Sequence, residues 1–200
     1  MRIRAVLFDM DGTIYDSRID WRALRDEIGL PYDGRPILQQ LAEAPEPLRQ
    51  RGLEALHRTE REGAENGELL PGAAELVAML RSQGVQCALI TNNSRPNAEK
   101  VLSRHPIPFD LVLTRDDGAA KPDPGIFERA LRELAVRPTE AVAIGDAHLD
   151  VIAAAHAGIG QIIAVGMPEW MATHVPREIP YRKADDLHQA RELISEMFPR

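Results

Sequence analysis

The sequence is short of lysine and cysteine. Among its 200 residues, lysine occurs only at Lys100, Lys121 and Lys183, and Cys87 is the single cysteine. One cysteine excludes an internal disulfide and favours a reducing compartment. The net charge of −7 provides no basic field that would attract nucleic acid or an anionic membrane surface. We therefore expect neither of these partners.

Long hydrophobic runs are also missing. The apolar run at residues 5–8 is too short for the core of a signal peptide, and no other run approaches the length of a membrane span. We therefore expect a cytoplasmic protein. Hydrophobic residues still make up 44% of the chain, which is enough for a hydrophobic core.

Short apolar runs without polar alternation predict strands that are buried on both faces. These runs lie at residues 5–8, 87–90, 111–113, 141–144 and 162–165. Patterns typical of amphipathic helices separate them, for example at residues 73–80 and 126–134. This alternation predicts an α/β fold with a doubly wound parallel sheet.

One segment interrupts the alternation. Residues 17–70 contain helical patterns broken by proline and glycine, and no convincing strand. A structureless connection of this length is rare in compact domains. We therefore predict a small inserted helical subdomain at residues 17–70, here called the cap, on a core formed by residues 1–16 and 71–200. The alternative is an elaborate surface crossover within one domain.

Two aspartates directly follow the first predicted strand. Asp9 and Asp11 are two residues apart, and Gly12 provides a turn after them. In open α/β sheets, ligands bind in the crevice beyond the carboxyl ends of the strands. Two carboxylates this close repel each other and need a cation or a shared proton. An ordinary turn is the alternative, because Asp and Gly are common turn residues.

The second predicted strand is followed by Thr91, Asn92, Asn93 and Ser94. Their hydroxyl and amide groups stand just before a predicted helix, whose N-terminal N–H groups favour a bound anion. Taken singly, Asn93 or Ser94 is better explained as a helix N-cap. The cluster as a whole nevertheless suits a phosphate group.

Later strands supply charges of both signs. Lys121 lies in a loop just before a predicted helix. Because the N-terminal end of a helix disfavours a cation, a lysine at this position indicates a functional role. Asp146 and Asp150 follow the next strand, although either could simply cap the following helix. Oxygen ligands without a His or Cys cluster indicate Mg²⁺ rather than zinc. Carboxylates, amide donors and a fixed cation together suit phosphoryl transfer.

These residues form four ordered motifs. They are Asp-x-Asp-Gly-Thr at 9–13, Thr-Asn-Asn at 91–93, Lys-Pro at 121–122 and Gly-Asp-x-x-x-Asp at 145–150. The ordered set resembles the haloacid dehalogenase superfamily hydrolases, in the small helical-cap branch that contains phosphoglycolate phosphatase-like members. The resemblance implies a Rossmann-like core. It also implies Mg²⁺-dependent hydrolysis of a small phosphorylated metabolite through an aspartyl-phosphate intermediate.

The resemblance assigns roles to four aspartates. Asp9 would be the nucleophile and a metal ligand. Asp11 would be the general acid/base and would offer its backbone carbonyl to the metal, while Asp146 would complete the metal ligands. Asp150 would orient the lysine of the third motif or a metal-bound water.

The same resemblance assigns substrate-binding roles to three residues. Thr91 and Asn92 would bind the phosphoryl oxygens. Lys121 would neutralise the charge of the nucleophile and of the phosphate.

Other chemistries occur on the same motifs. A phosphomutase of the β-phosphoglucomutase type is the main alternative, although such enzymes commonly carry Gly-Val where this chain has Gly12-Thr13. Family members that act as dehalogenases have a first motif that resembles Asp-x-Tyr. This chain has Asp11 in place of the tyrosine, which argues against dehalogenation. Phosphonate cleavage uses a cap lysine, and residues 18–70 contain none.

Three arginines in the cap are spaced as if on one helical face. Arg18, Arg22 and Arg25 are related as i, i+4 and i+7, which predicts a single stripe on a helix. Such a stripe could clamp a carboxylate or a second phosphate of the substrate. The alternative is a solvated stripe paired with neighbouring carboxylates.

Overall fold

The computed structural model describes residues 2–198, and its strands and helices alternate along most of the chain. The strands are β1 Ala5–Phe8, β2 Tyr15–Asp16, β3 Glu68–Leu69, β4 Gln86–Ile90, β5 Leu111–Leu113, β6 Ala141–Gly145, β7 Gln161–Val165 and β8 Arg182–Ala184. The helices are α1 Trp21–Ile28, α2 Ile37–Glu43, α3 Glu46–Asn66, α4 Ala73–Ser82, α5 Arg95–Arg104, α6 Gly125–Glu133, α7 His148–His156, α8 Glu169–Ala172 and α9 Leu187–Ser195.

Six strands form one parallel sheet in the order β5-β4-β1-β6-β7-β8. Successive side chains of the central strand β1 enter different hydrophobic clusters: Val6 and Phe8 pack on one face, and Ala5 and Leu7 on the other. All four are fully buried, as expected for a strand covered by helices on both sides. The predicted doubly wound α/β fold is confirmed.

The five strands predicted from apolar runs are all present in the sheet. Strand β8 at Arg182–Ala184 was not predicted, because two of its three residues are exposed and it contains no apolar run. The expectation of no strand in residues 17–70 is wrong at Glu68–Leu69, which pairs with Tyr15–Asp16. A strand of two residues is too short to produce a periodic pattern.

Helices α1, α2 and α3 lie between β2 and β3 and share a hydrophobic cluster of their own. Leu24, Ile28, Leu41 and Leu56 are buried in it. The antiparallel β2–β3 pair brings together the two chain segments that enter and leave this helical region. The division into a core and a cap at residues 17–70 stays a prediction.

The arginine stripe predicted on the first cap helix is wrong as a single stripe. Helix α1 begins at Trp21, and the side chain of Asp20 caps it by accepting from Arg22 N at 3.0 Å and Ala23 N at 2.9 Å. Arg18 therefore precedes the helix, and its φ of 56° is left-handed. Asp is among the strongest N-caps, so the helix starts after Asp20 rather than before it.

No helix in residues 2–198 is both long enough and apolar enough to cross a membrane.

Candidate active site

The predicted site residues follow four adjacent strands, with Lys121 after β5 and the others after β4, β1 and β6. Strand β1 lies between β4 and β6, with Phe8 paired to Leu89 on one side and to Ile144 on the other. Because all three strands are parallel, the residues after them emerge at the same edge of the sheet. Asp9 and Asp146 therefore come close together there, and their loops form the floor of a cleft.

Lys121 is the centre of this floor. Its Nζ donates to Asp9 Oδ1 at 2.5 Å, to Asp150 Oδ1 at 2.5 Å and to the carbonyl of Ile90 at 2.9 Å. Burial lowers the pKa of this ammonium, but the carboxylates of Asp150 and Asp9 outweigh it and raise the pKa above its usual value. Lys121 is 2% exposed and provides a fixed positive charge.

Three carboxylates lie around the single ammonium group of Lys121. Oxygens of Asp9, Asp146 and Asp150 lie within 4.8 Å of one another. Burial raises the pKa of Asp9 to about 7; Lys121 opposes this shift, and the charge of Asp150 adds to it. Burial likewise raises the pKa of Asp146 well above its usual value, and the charges of Asp9 and Asp150 add to it. Three crowded oxygen donors with one ammonium fit a divalent cation that prefers hard ligands.

The side chain of Asp11 is not part of this acidic cluster. Its Oδ2 accepts from Asn93 Nδ2 at 3.1 Å, and its Oδ1 is buried without a hydrogen-bond partner among residues 2–198. Burial raises the pKa of Asp11, and the hydrogen bond from Asn93 lowers it less. The side-chain cluster thus contains Asp150 where sequence analysis had named Asp11. The predicted metal contact of Asp11 was through its backbone carbonyl and stays a prediction.

Two glycines make room for the crowded carboxylates. A Cβ on Gly12 would lie 2.1 Å from Asp146 Oδ2, and its φ of +84° also disfavours other residues. A Cβ on Gly145 would lie 2.3 Å from Asp150 Cγ. Glycine is therefore required at both positions, because Asp146 lies against the backbone of Gly12 and Asp150 against that of Gly145.

The residues after β4 are held by hydrogen bonds inside the core. Thr91 Oγ1 accepts from Asn93 N at 3.0 Å. The amide of Asn92 binds the backbone of Lys121 at two points: Nδ2 donates to its carbonyl at 2.9 Å, and Oδ1 accepts from its N–H at 2.8 Å. Asn92 therefore fixes the loop that carries the lysine.

Sequence analysis favoured a capping role for Asn93 and missed its contact with Asp11. Asn93 does accept from Ser94 N at 2.9 Å, but its amide nitrogen donates to the carboxylate of Asp11. The missed contact is between residues 82 positions apart. Only the place of Asn93 in the Thr-Asn-Asn motif could have indicated it.

A cavity of about 580 Å³ lies above the floor. The core side of its lining includes Asp9, Asp11, Lys121 and Asp146. The cap contributes side chains that are mainly apolar or aromatic, among them Trp21, Tyr32, Ile37, Leu38 and Leu56. A larger depression of about 780 Å³ contains none of the floor aspartates, so volume alone would place the site wrongly.

The arginines of helix α1 point to different places. Arg25 lines the cavity and is partly buried; its Nη1 donates to Gln40 Oε1 at 2.7 Å and its Nη2 to the Arg35 carbonyl at 2.9 Å. Arg22 is not among the cavity-lining residues described, and it lies over the rings of Tyr32 and Trp170. Only Arg25 of the predicted stripe lines the site.

His148 also lines the cavity. It is 6% exposed, and its Nε2 lies 2.6 Å from the carbonyl of Gly34 in the cap. Burial lowers its pKa, which favours a neutral ring that donates to this carbonyl. Its ring also faces His174, with centroids 5.2 Å apart. A lone histidine without ligand spacing gives no sequence pattern for such a contact.

The model of the haloacid dehalogenase-like hydrolase family matches residues 3–158, and the chain belongs to this family. It is 33% identical to protein CbbY of Cereibacter sphaeroides, over 82% of this chain and 85% of that protein. It is also 28% identical to β-phosphoglucomutase of Bacillus subtilis, over 95% of this chain and 96% of that protein.

Two further comparisons agree with this assignment. The chain is 27% identical to phosphoglycolate phosphatase of Pseudomonas syringae pv. tomato, over 93% of this chain and 78% of that protein. A solved hydrolase structure from Pseudomonas syringae has the same fold, with a TM-score of 0.78 at 20% identity, over 98% of this chain and all of that one. The predicted family and the predicted enzyme class, a phosphoric monoester hydrolase of the haloacid dehalogenase type, are confirmed.

Proposed function

We propose that this protein is a Mg²⁺-dependent phosphatase that hydrolyses small phosphate monoesters through an aspartyl-phosphate on Asp9. The observation that carries the proposal is the bridge from Lys121 Nζ to Asp9 and Asp150, 2.5 Å each, beneath a cavity of about 580 Å³. This arrangement offers an ionised nucleophile, a fixed cation and space for a substrate.

Asp9 acts as the nucleophile. Burial raises the pKa of Asp9 to about 7, and the ammonium of Lys121 opposes this rise and so favours the carboxylate form, which needs no base to attack phosphorus. A carboxylate oxygen of Asp9 forms a bond to phosphorus while the bond from phosphorus to the departing alkoxide breaks. Lys121 also offsets the negative charge that would otherwise repel the phosphate.

Asp11 acts as the acid and then as the base. Burial raises its pKa, which favours the protonated form needed to donate to the departing alkoxide. Once ionised, Asp11 takes a proton from water as that water attacks the acyl phosphate. Phosphate then leaves, and the carboxylate of Asp9 is restored. Asp11 lines the cavity beside Asp9, which supports these transfers to and from a bound substrate.

The metal would be held by Asp9, Asp146 and the backbone carbonyl of Asp11, with Asp150 beside them in the acidic cluster. When bound, Mg²⁺ offsets the negative charges of the phosphate and the nucleophile. Its oxygen-only donor set supports Mg²⁺ over zinc.

We propose that Thr91, Asn92 and Lys121 bind the phosphoryl oxygens of the substrate. The side-chain amide of Asn92 is engaged by the backbone of Lys121, so we propose that Asn92 binds phosphate through its backbone N–H. The substrate is a small phosphorylated metabolite, and we assign the protein to the cytoplasm because it has one cysteine and no basic field. We assign substrate choice to the cap at residues 17–70.

A phosphomutase remains the second candidate, because β-phosphoglucomutase of Bacillus subtilis is 28% identical over nearly the whole chain. A mutase returns the phosphoryl group to a sugar, whereas a phosphatase transfers it to water. The Gly12-Thr13 sequence favours the phosphatase.

The test is a panel of phosphate monoesters, including phosphoglycolate, sugar phosphates and nucleotides, assayed with Mg²⁺ and with chelator. Free phosphate is measured, and β-glucose 1-phosphate is also followed for conversion to glucose 6-phosphate. We expect Mg²⁺-dependent release of phosphate from at least one compound. Isomerisation without release would identify a mutase instead, and inactivity on every compound would contradict both.

A further inference from the structure

A buried ion pair joins the cap to the core. Arg115, in the turn after β5, donates through Nη1 to Glu60 Oε1 at 2.6 Å and through Nη2 to Glu60 Oε2 at 2.8 Å. Glu60 lies on helix α3 and is 4% exposed, and the Arg115 side chain is 12% exposed. The two residues are 55 positions apart, and Glu60 lines the cavity.

Arg115 makes a third contact, with the residues after β4 that include the proposed phosphate-binding residues Thr91 and Asn92. Its Nη1 donates to the carbonyl of Asn92 at 3.1 Å. The side chain of Asn92 in turn holds the backbone of Lys121 at two points, and Lys121 Nζ binds Asp9. A continuous set of polar contacts therefore runs from cap helix α3 to the proposed nucleophile.

Attachment of the cap does not need this pair. About one turn beyond Glu60, at the C-terminal end of helix α3, Arg104 of the core donates through Nη1 to Tyr15 Oη at 2.9 Å and to the carbonyls of Ala64 at 3.1 Å and Gly67 at 3.2 Å. Strands β2 and β3 also pair there. Glu60 and Arg115 thus form a second connection, placed beside the reacting groups rather than at the chain crossing.

The environment of the pair makes its disruption costly. Burial raises the pKa of Glu60, while the hydrogen bond and the charge of Arg115 lower it. Without Arg115, Glu60 would be a buried carboxylate without its ion-pair partner, near Asp11. The cap could then stay closed only by protonating Glu60 or admitting water.

We propose that Glu60 and Arg115 are positioning residues that couple the closed cap to the Asn92–Lys121 contact and so to the geometry of Asp9. The proposal deepens the proposed function and rests on it, because it assigns the consequence to phosphoryl transfer. When the cap lies over the cavity, Glu60 orients Arg115, and Arg115 fixes the Asn92 carbonyl.

The kinetic test compares Arg115→Met, Glu60→Gln and the double variant with a matched control. Arg58 lies on the same helix α3 and pairs with Glu27 at 2.6 Å, but both side chains are exposed and within the cap. We expect kcat to fall on the order of 100-fold for Arg115→Met and about 10-fold for Glu60→Gln, with KM nearly unchanged. Arg58→Met should change kcat less than about 2-fold.

The double variant tests whether the two residues act as a unit. It should lose no more kcat than Arg115→Met alone, because both single changes break the same connection. Independent, multiplying losses would overturn the coupling. A rise in KM with unchanged kcat would also overturn it, because it would indicate cap attachment only.

A structural readout separates this proposal from the proposed function. The backbone N–H of Lys121 donates to Asn92 Oδ1, so its hydrogen exchange, measured by NMR, reports this contact without any substrate. Exchange of the Lys121 amide should rise at least about 10-fold in Arg115→Met and stay unchanged in Arg58→Met.

Arg104→Met is the second control, because it weakens the cap attachment at the C-terminal end of helix α3 without touching Glu60, Arg115 or Asn92. Unchanged Lys121 exchange in Arg115→Met, or an equal rise in Arg104→Met, would refute the coupling even if the enzyme is a phosphatase. Faster exchange only in Arg115→Met, from a protein inactive on every phosphate ester, would instead refute the function and keep the contact. Melting temperatures identify any variant that fails to fold, and Glu60→Gln is the mildest replacement.

Discussion

The floor and the cap side of the cavity are built differently. On the floor, Asp9, Lys121 and Asp150 are buried and joined by short hydrogen bonds whose positions follow from the ends of parallel strands. On the cap side, Trp21 and Arg25 come from a short helix and are only partly buried. The floor is built from buried charges, whereas the cap side of the cavity is mainly apolar and aromatic.

Helix ends do not distinguish the two regions. Cap helix α1 has the side-chain cap of Asp20, whereas cap helices α2 and α3 and core helices α4 and α5 begin without a side-chain hydrogen bond at the cap position. The difference lies in burial and charge, and we therefore expect changes on the floor to abolish turnover and changes in the apolar lining of the cap to alter selectivity.

The largest effect should come from removing the charge of Asp9, the proposed nucleophile. Asp9→Asn keeps the size of the side chain but cannot form the acyl phosphate, so we expect turnover to fall on the order of 10⁴-fold or more. Phosphate release measures the loss, and circular dichroism checks that the fold survives. Substantial activity in this variant would mean that the floor does not supply the nucleophile.

Metal removal should be nearly as damaging. Chelator should abolish activity, and Mg²⁺ should restore it, because the acidic cluster needs a cation to accept a phosphate. Ca²⁺ should restore it poorly, because its larger and looser coordination misplaces the nucleophile. Asp146→Asn should require a higher Mg²⁺ concentration for half-maximal activity, and full activity in chelator would contradict the metal assignment.

Asp11→Asn should cost about 10²–10⁴-fold, and the loss should depend on the leaving group. Alkyl phosphates need a proton on the departing oxygen, whereas aryl phosphates with good leaving groups need it less. Rates with one alkyl and one aryl phosphate measure the difference. An equal loss on both would remove Asp11 from the role of leaving-group acid.

The smallest expected effect lies on the cap side and is confined to certain substrates. Arg25→Ala should raise KM or lower kcat/KM for substrates with a second anionic group, by about 2–4 kcal/mol in apparent transition-state binding. Arg22→Ala is the matched control on the same helix, because Arg22 lies over Tyr32 and Trp170 instead of lining the cavity. Equal small changes in both variants would indicate that Arg25 only stabilises the cap.

Much of the floor could be predicted from the sequence because a simple rule applies to it. Residues that follow neighbouring parallel strands meet at one edge, so apolar runs followed by polar residues indicated where Asp9, Thr91 and Asp146 would lie. Strand β8 has no apolar run and was missed for that reason. A strand can be predicted from its hydrophobic pattern only where burial of its side chains produces such a pattern.

Contacts made across the chain could not be predicted in the same way. Nothing near Glu60 or Arg115 in the sequence specifies their pairing, because it depends on how helix α3 packs over the turn after β5. The Arg18 prediction was wrong because the capping strength of Asp20 outweighed helical spacing. Likewise, a motif places Asn92 after β4 but does not determine that its amide faces the backbone of Lys121.

The β2–β3 pair has a consequence for protein engineering. Tyr15 is paired with Leu69 and Asp16 with Glu68, and directly paired antiparallel residues have Cα atoms only about 4.5–5.5 Å apart. A two-residue turn such as Asn-Gly could close that gap and replace the whole intervening segment. Helical inserts from relatives could therefore be exchanged at this point, and an insert without a carboxylate for Arg115 would lose the Glu60–Arg115 contact.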